Sequence, residues 1–284
     1  MPASGRLEGM AAVITGGARG LGLGITRLFL DQGAKVCMAG RTQSWGDEAV
    51  EQFQKISDDV MFVQCDVAEE ADVARCVAAA VERFGSLHIV VNNAGGTTFG
   101  TGAKACDTEL AEFQRAFHVN TDGPFLMAKH AIAHMLDAGY GSIVNVSSNA
   151  AIRASANANV GYHASKAALH GLTLSLAREY GPQVRCNEIV MGHLHPPNPD
   201  LPRHRYVEED EAARTAVEQN YMVGRWGSPD DLGYACVFLA SRESGFITAT
   251  SLRLDGGSQS RMQFPHLTGY EDWLATQHSA QATA

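Results

Sequence analysis

Thr15-Gly16-Gly17-Ala18-Arg19-Gly20-Leu21-Gly22 is the segment that most narrows what this chain can fold into. The apolar run Ala11 to Thr15 reads as a strand ending at the first glycine, and Leu21, Ile25, Leu28 and Phe29 recur behind it at helical spacing. A strand, a glycine turn and a helix in that order form a cradle. The missing side chains let the backbone approach a pyrophosphate, and the helix start turns its free amides and positive dipole end toward the charge. Gly16, Arg19, Gly20, Leu21 and Gly22 are therefore candidate phosphate-binding residues.

The same alternation continues along the chain. Ala34 to Ala39, Val60 to Cys65, His88 to Asn92, Ser142 to Ser147, Arg185 to Val190 and Ser251 to Asp255 read as further strands. Helical patterns lie at about 69–84, at 108–136 with an interruption near Gly123-Pro124, at 162–180 and at 230–239. Strands regularly separated by helices predict one doubly wound α/β domain over 1–260. Met191 to Glu208 breaks the rhythm: prolines at 196, 197, 199 and 202 forbid a continuous helix, so a substrate loop is expected there. A helix over Glu208 to Met222 completes a lid at about 191–224. Residues 261–284 form a C-terminal extension, with Phe264, Tyr270 and Trp273 able to dock on a neighbour or cover the pocket.

Composition removes several classes of function. The chain has 284 residues, 45% apolar and 19% charged, enough for a sizeable core. A net charge of -9 without a Lys/Arg block argues against nucleic acid or an anionic membrane as partner. Cysteines at 37, 65, 76, 106, 186 and 236 lack Cys-x2-Cys spacing, so reduced structural thiols and no metal are expected. His193, His195 and His204 have no acidic ligand at a spacing that would complete a metal site. With no signal peptide or membrane span legible, a soluble cytoplasmic protein is the expectation.

Cofactor choice is read at the second strand. An NAD-binding chain would use an acidic side chain there to grip the adenosine ribose, yet residues 36 to 43 contain no Asp or Glu. Arg41 follows that strand and Arg19 sits in the glycine turn, and two guanidinium forks suit the 2′-phosphate of NADP(H). Asp66 and the amide of Val67, after the third strand, are candidate adenine contacts, with a helix cap as the plain role of Asp66. Asn93, Ala94 and Gly95 end the fourth strand where the crevice of such a sheet lies.

Tyr162 and Lys166 stand four residues apart, on one face of a helix, where an ammonium can bias a phenol toward proton transfer. Ser147-Ser148 ends the fifth strand shortly before them. Together with Thr15 to Gly22, Asn92-Asn93-Ala94-Gly95, Asn120, Asn187 and Leu254-Asp255-Gly256-Gly257, these residues make the chain resemble the short-chain dehydrogenase/reductase family from about Leu7 to Gly257.

That resemblance implies a Rossmann-like sheet of seven parallel strands with helices on both faces, and hydride transfer between a nicotinamide and a carbonyl or alcohol. It implies that Tyr162 is the acid/base, that Lys166 lowers its pKa and holds the nicotinamide ribose, that Ser148 orients the substrate oxygen and that Asn120 supports a water-linked proton path. Ser148 lies fourteen residues before Tyr162, one more than the family spacing, and Ser147 remains the alternative. The family's Pro-Gly and threonine after strand six are Met191-Gly192 and Pro196 here, leaving the backbone of Ile189 as the carboxamide contact and His193 or His195 as substitutes for the threonine.

Small residues at 150, 151, 154 and 156 suggest a medium or bulky ketone or alcohol as a free small molecule. A 3-oxoacyl thioester reductase and a catalytically idle NADP-binding regulator are the alternatives. Apolar positions beyond the needs of one sheet face at 108–136 and 162–180 agree with the homotetramers common in the family, or a homodimer.

Overall fold

The computed structural model describes residues 5–96, 104–154, 159–194 and 210–260. Its centre is a parallel sheet of seven strands: β1 (Ala11–Thr15), β2 (Lys35–Gly40), β3 (Val60–Gln64), β4 (Ile89–Asn92), β5 (Gly141–Ser148), β6 (Val184–Met191) and β7 (Ser251–Leu254). They lie in the order β3-β2-β1-β4-β5-β6-β7. The order reverses between β1 and β4, and in a doubly wound sheet a ligand crevice opens beyond the carboxyl ends of the strands at that point. β1, β2, β4, β5 and β6 are buried along almost their whole length, as expected of strands covered on both faces.

The main helices are α1 (Leu21–Asp31), α2 (Gln43–Phe53), α3 (Glu70–Phe84), α4 (Leu110–Phe117), α5 (Gly123–Asp137), α6 (Val160–Tyr180), α7 (Glu211–Glu218) and α8 (Pro229–Ala240). Ile25, Phe29, Phe53, Leu232 and Leu239 from α1, α2 and α8 pack on one sheet face with Ile14, Met38 and Ile189. Val73, Val77, Met127, Met135 and Leu176 from α3, α5 and α6 cover the other with Val13, Val90 and Ile143. Arg185 on β6 ties in the end of α8, its Nη2 donating to the carbonyls of Leu239 and Ser241.

Two features depart from the expectations. The helix α2 carries only Gly46, Ala49 and Phe53 as buried residues, an apolar stripe too thin to stand out in the sequence. The helical region after Leu110 is not broken at Gly123-Pro124; a π-helical segment, His118–Asp122, joins α4 to α5, and the proline sits in the first turn of α5, where no amide is needed. Asn120 lies within that wider turn, fully buried.

Among the described residues no helix is long and apolar enough to cross a membrane. All six cysteines are free thiols, five buried and Cys106 exposed.

Candidate active site

The glycine turn has the geometry a pyrophosphate needs. Gly16 and Gly20 take φ of 66° and 57°, and a Cβ at Gly22 would lie 1.9 Å from the Gly16 carbonyl oxygen. Leu21 and Gly22 open α1, and no side chain caps that helix start. The turn is held from β4: the amides of Asn93 and Ala94 donate to Thr15 Oγ1 at 3.0 and 2.9 Å, and Asn93 Nδ2 donates to the Thr15 carbonyl. Asn93 thus acts as a clasp on the turn, while Asn92 Nδ2 bonds Asn145 Oδ1 across to β5.

At the adenosine end, Arg41 follows β2 and is exposed, its carbonyl accepting from Gln64 Nε2. Arg19 packs on Trp45 of α2, with 3.9 Å from the guanidinium carbon to the ring centre. The Asp66 amide donates to Asp72 Oδ2, and Asp66 Oδ1 accepts from the Ala68 amide. Val67 is buried against Gly123. Asp66 and Val67 therefore hold the turn into α3, and neither caps the helix, whose first flanking residue is Glu69.

The chemistry-bearing side chains meet beyond β4 and β5. Tyr162 and Lys166 are 6% and 5% exposed, on the face of α6 that packs on the sheet. Asn159 Oδ1 accepts from the Tyr162 amide and caps the helix just before the tyrosine. The Ser148 hydroxyl lies beside the phenol and lowers its proton affinity, while its oxygen accepts from the Ala150 amide at 3.2 Å. Ser147 instead turns inward and donates to the Lys166 carbonyl at 3.4 Å. Of the two serines, Ser148 is the one beside the tyrosine.

Lys166 Nζ donates to the Val146 carbonyl at 2.8 Å and stands 6.0 Å from the Tyr162 ring centre. A Cβ at Gly95 would lie 3.2 Å from Lys166 Nζ and 2.8 Å from Asn120 Oδ1, so a side chain there would press on both. Asn120 Nδ2 donates to Ser165 Oγ, which fixes the π turn to α6, whereas its buried Oδ1 has no hydrogen-bond partner. An orphaned buried acceptor beside a lysine suits a polar group of a ligand or an ordered water.

Burial sets the proton affinities. It pushes the Tyr162 phenol up, and the Ser148 hydrogen bond works against that rise. It brings the Lys166 ammonium down to about 8, against the attraction of the Glu188 carboxylate. The phenol is thus tuned by Ser148, not by the lysine alone as the sequence suggested.

After β6 the chain differs from expectation. Met191 is the last residue of the strand, and Ile189 lies inside it, paired with Val146 and Leu252 on the two sides. A cofactor contact through the Ile189 backbone does not match this position, because the ladder occupies it; the first residues beyond the strand are Gly192 and His193. The His193 carbonyl accepts from Tyr221. His195, Pro196 and His204 lie outside the described residues, as does the extension 261–284. His163, next to the tyrosine, bonds the Ala150 carbonyl through Nδ1 and supports the turn after β5. Sequence reasoning passed over Glu188, Asn159 and Trp45; a glutamate within a strand pattern, directly before the apolar Ile189-Val190-Met191, was the legible signal for the first.

Comparison with known proteins gives consistent results. A family model described as enoyl-(acyl carrier protein) reductase matches residues 16–259. The chain is 35% identical to (+)-borneol dehydrogenase 2 of Salvia officinalis, covering 90% of this chain and 91% of that protein. It is 36% identical to a 3-alpha-(or 20-beta)-hydroxysteroid dehydrogenase of Mycobacterium bovis over 90% of this chain and 91% of the relative. A solved structure from Burkholderia xenovorans, described as a short-chain dehydrogenase/reductase, superposes with a TM-score of 0.81 at 31% identity, covering 91% of this chain and all (100%) of the other.

Proposed function

From the premise that this chain belongs to the short-chain dehydrogenase/reductase family and is an oxidoreductase of small organic molecules that binds NAD(P)(H), we propose that it interconverts a ketone and a secondary alcohol with NADP(H), Tyr162 being the acid/base. The observation that carries this reading is the cluster at the ends of β4 and β5: Ser148 beside the Tyr162 phenol, buried Lys166 bonded to the Val146 carbonyl, and the unpartnered Asn120 Oδ1 next to Gly95.

NADP(H) would be held by the turn of Gly16, Arg19, Gly20, Leu21 and Gly22, by Arg41 at its 2′-phosphate, by Asp66 and Val67 at the adenine, and by Ala94, Gly95, Tyr162 and Lys166 at the nicotinamide end. Bound there, it supplies or accepts the hydride. In the direction of reduction, Ser148 and Tyr162 hold the carbonyl oxygen with two hydroxyls, and Tyr162 gives it a proton as charge develops. The nearby ammonium of Lys166 stabilises the phenolate left behind. Asn120, whose buried Oδ1 has no hydrogen-bond partner in the fold, orders water through which the proton is replaced. Alcohol oxidation runs the same transfers in reverse, with the phenolate as base.

Relatives named for borneol and for hydroxysteroids support a bulky alcohol or ketone as substrate, taken as a free small molecule. Leu110 at 67% and Phe125 at 48% exposure, on α4 and α5, support self-association, with a homotetramer as the proposed state.

The test is NADPH and NADH oxidation with a panel of aliphatic, cyclic, steroid-like and 3-oxoacyl ketones, and the reverse reactions with the alcohols. NADPH-dependent reduction of a bulky ketone is expected. Tight cofactor binding without turnover of any member would reject the reductase in favour of a regulator.

A further inference from the structure

Trp45 is a large apolar side chain that the core does not use. It sits in the first turn of α2 and is 41% exposed, whereas Gly46, Ala49 and Phe53 are the residues that seat the helix. Gly46 fixes the place of that turn, since a Cβ there would lie 2.1 Å from the Phe62 ring on β3. An indole left so far in water adds little to the packing of a helix already seated by its neighbours, and its value lies in what it touches.

What it touches is Arg19. The guanidinium carbon stands 3.9 Å from the centre of the Trp45 ring, a cation held against the face of an indole. The backbone of Arg19 is fixed in the glycine turn, its carbonyl accepting from the Gly22 amide at 3.1 Å, and the turn is bonded to β2 from the Gly16 amide to the Ala39 carbonyl at 2.7 Å. Because β1 and β2 are adjacent and parallel, with Thr15 level with Ala39, the glycine turn and the segment Gly40-Arg41-Thr42 leave the sheet at the same end. Arg41 is exposed there, its carbonyl held by Gln64 Nε2 at 2.9 Å. An arginine at position 19 has two places to lay its charge: the start of α1, where the turn cradles a pyrophosphate, or the β2 side, beside Arg41. The stack on α2 commits it to the β2 side.

We propose that Trp45 is a positioning residue for cofactor choice: by stacking on Arg19 it turns the guanidinium from the pyrophosphate turn toward Arg41, so that both arginines read a phosphate on the adenosine ribose. A loose arginine would spread its charge over the pyrophosphate as well and favour NADPH and NADH alike. A stacked one favours the cofactor that carries the extra phosphate and loses less freedom on binding it. The inference rests on NADP(H) as the cofactor.

Calorimetric titration of the whole chain with NADPH and with NADH tests it, since heat of binding needs neither a substrate nor tryptophan emission. Trp45→Leu should weaken NADPH about fivefold, the size of an exposed cation–π contact, and change NADH by less than about 1.5-fold. Trp45→Phe keeps an aromatic face and should bring NADPH back to within about twofold of wild type. In an Arg19→Ala background Trp45→Leu should add no further loss, because the side chain it positions is gone. Should the Leu variant not fold, Trp45→Gln carries the same expectations. Equal losses for the two cofactors, or a full loss that persists in the Arg19→Ala background, would overturn the proposal. The two readings fail differently: a wild type that binds NADH as tightly as NADPH would reject NADP(H) and this inference with it, whereas a selective wild type whose selectivity survives Trp45→Leu would overturn the role of Trp45 alone.

Discussion

The Arg19 guanidinium carbon stands 3.9 Å from the centre of the Trp45 ring, so the second residue pair of the cofactor end is built from a turn and a helix 26 positions apart. A guanidinium stacked on an indole loses less freedom on binding a phosphate. Arg19→Ala and Arg41→Asp should each weaken NADPH binding roughly tenfold or more and change NADH binding far less, as expected for a lost charge-assisted hydrogen bond. Equilibrium titrations with both cofactors check this; equal losses would remove the assignment to the 2′-phosphate.

Tyr162→Phe removes one oxygen and leaves the ring that fills its place between α6 and the sheet. Ketone reduction should drop by about 10²-fold or more, with NADPH affinity within a few-fold of wild type. Steady-state rates alongside cofactor titration make the measurement, and near-normal turnover would exclude Tyr162 as the acid/base.

The two serines at the end of β5 should separate cleanly. The Ser148 hydrogen bond lowers the phenol's proton affinity against the effect of burial, so Ser148→Ala should raise it further. Alcohol oxidation needs the phenolate, and its rising limb should therefore move to higher pH. Ser147→Ala, losing only a bond to the Lys166 carbonyl, should keep the wild-type profile. A limb that stays in place in Ser148→Ala would contradict the geometry.

A methyl group at residue 95 would stand 2.8 Å from Asn120 Oδ1 and 3.2 Å from Lys166 Nζ. Gly95→Ala should fold, since the clash is with the ends of side chains and not with backbone, yet lose most of its cofactor affinity and turnover. Thermal unfolding with and without NADPH distinguishes the two effects: stabilisation by the cofactor should be present in wild type and nearly absent in the variant.

Away from the site, Asp231 caps α8 with Ser228 and takes two bonds from Arg225, which hold its carboxyl well below the usual carboxylate range. A depressed folded-state value means the contribution to stability is present above the unfolded value near 4 and is lost as the pH falls toward the folded one. Asp231→Asn should cost about 1 kcal/mol near neutral pH, with the gap to wild type closing in acid. Urea unfolding at a series of pH values tests it, and a gap independent of pH would count against the ionised cap.

Local patterns carried most of the architecture, because a strand or helix buried on one face must repeat its apolar residues at the period of that element. The positions of β1 to β7, the turn at Gly16 to Gly22 and the shared face of Tyr162 and Lys166 were all legible in the order of residues. What tertiary structure decided is what depends on partners far away in the chain. The π turn that buries Asn120 is closed by Ser165 on α6, the choice of Ser148 over Ser147 follows from where α6 crosses the end of β5, and Trp45 meets Arg19 only because α1 and α2 pack on the same sheet face. Glu188 makes the same point: its sequence neighbours mark it as a core residue, but the His170 and Ser251 that bond its carboxylate come from α6 and β7, and a carboxylate's energy is set by the donors folded around it.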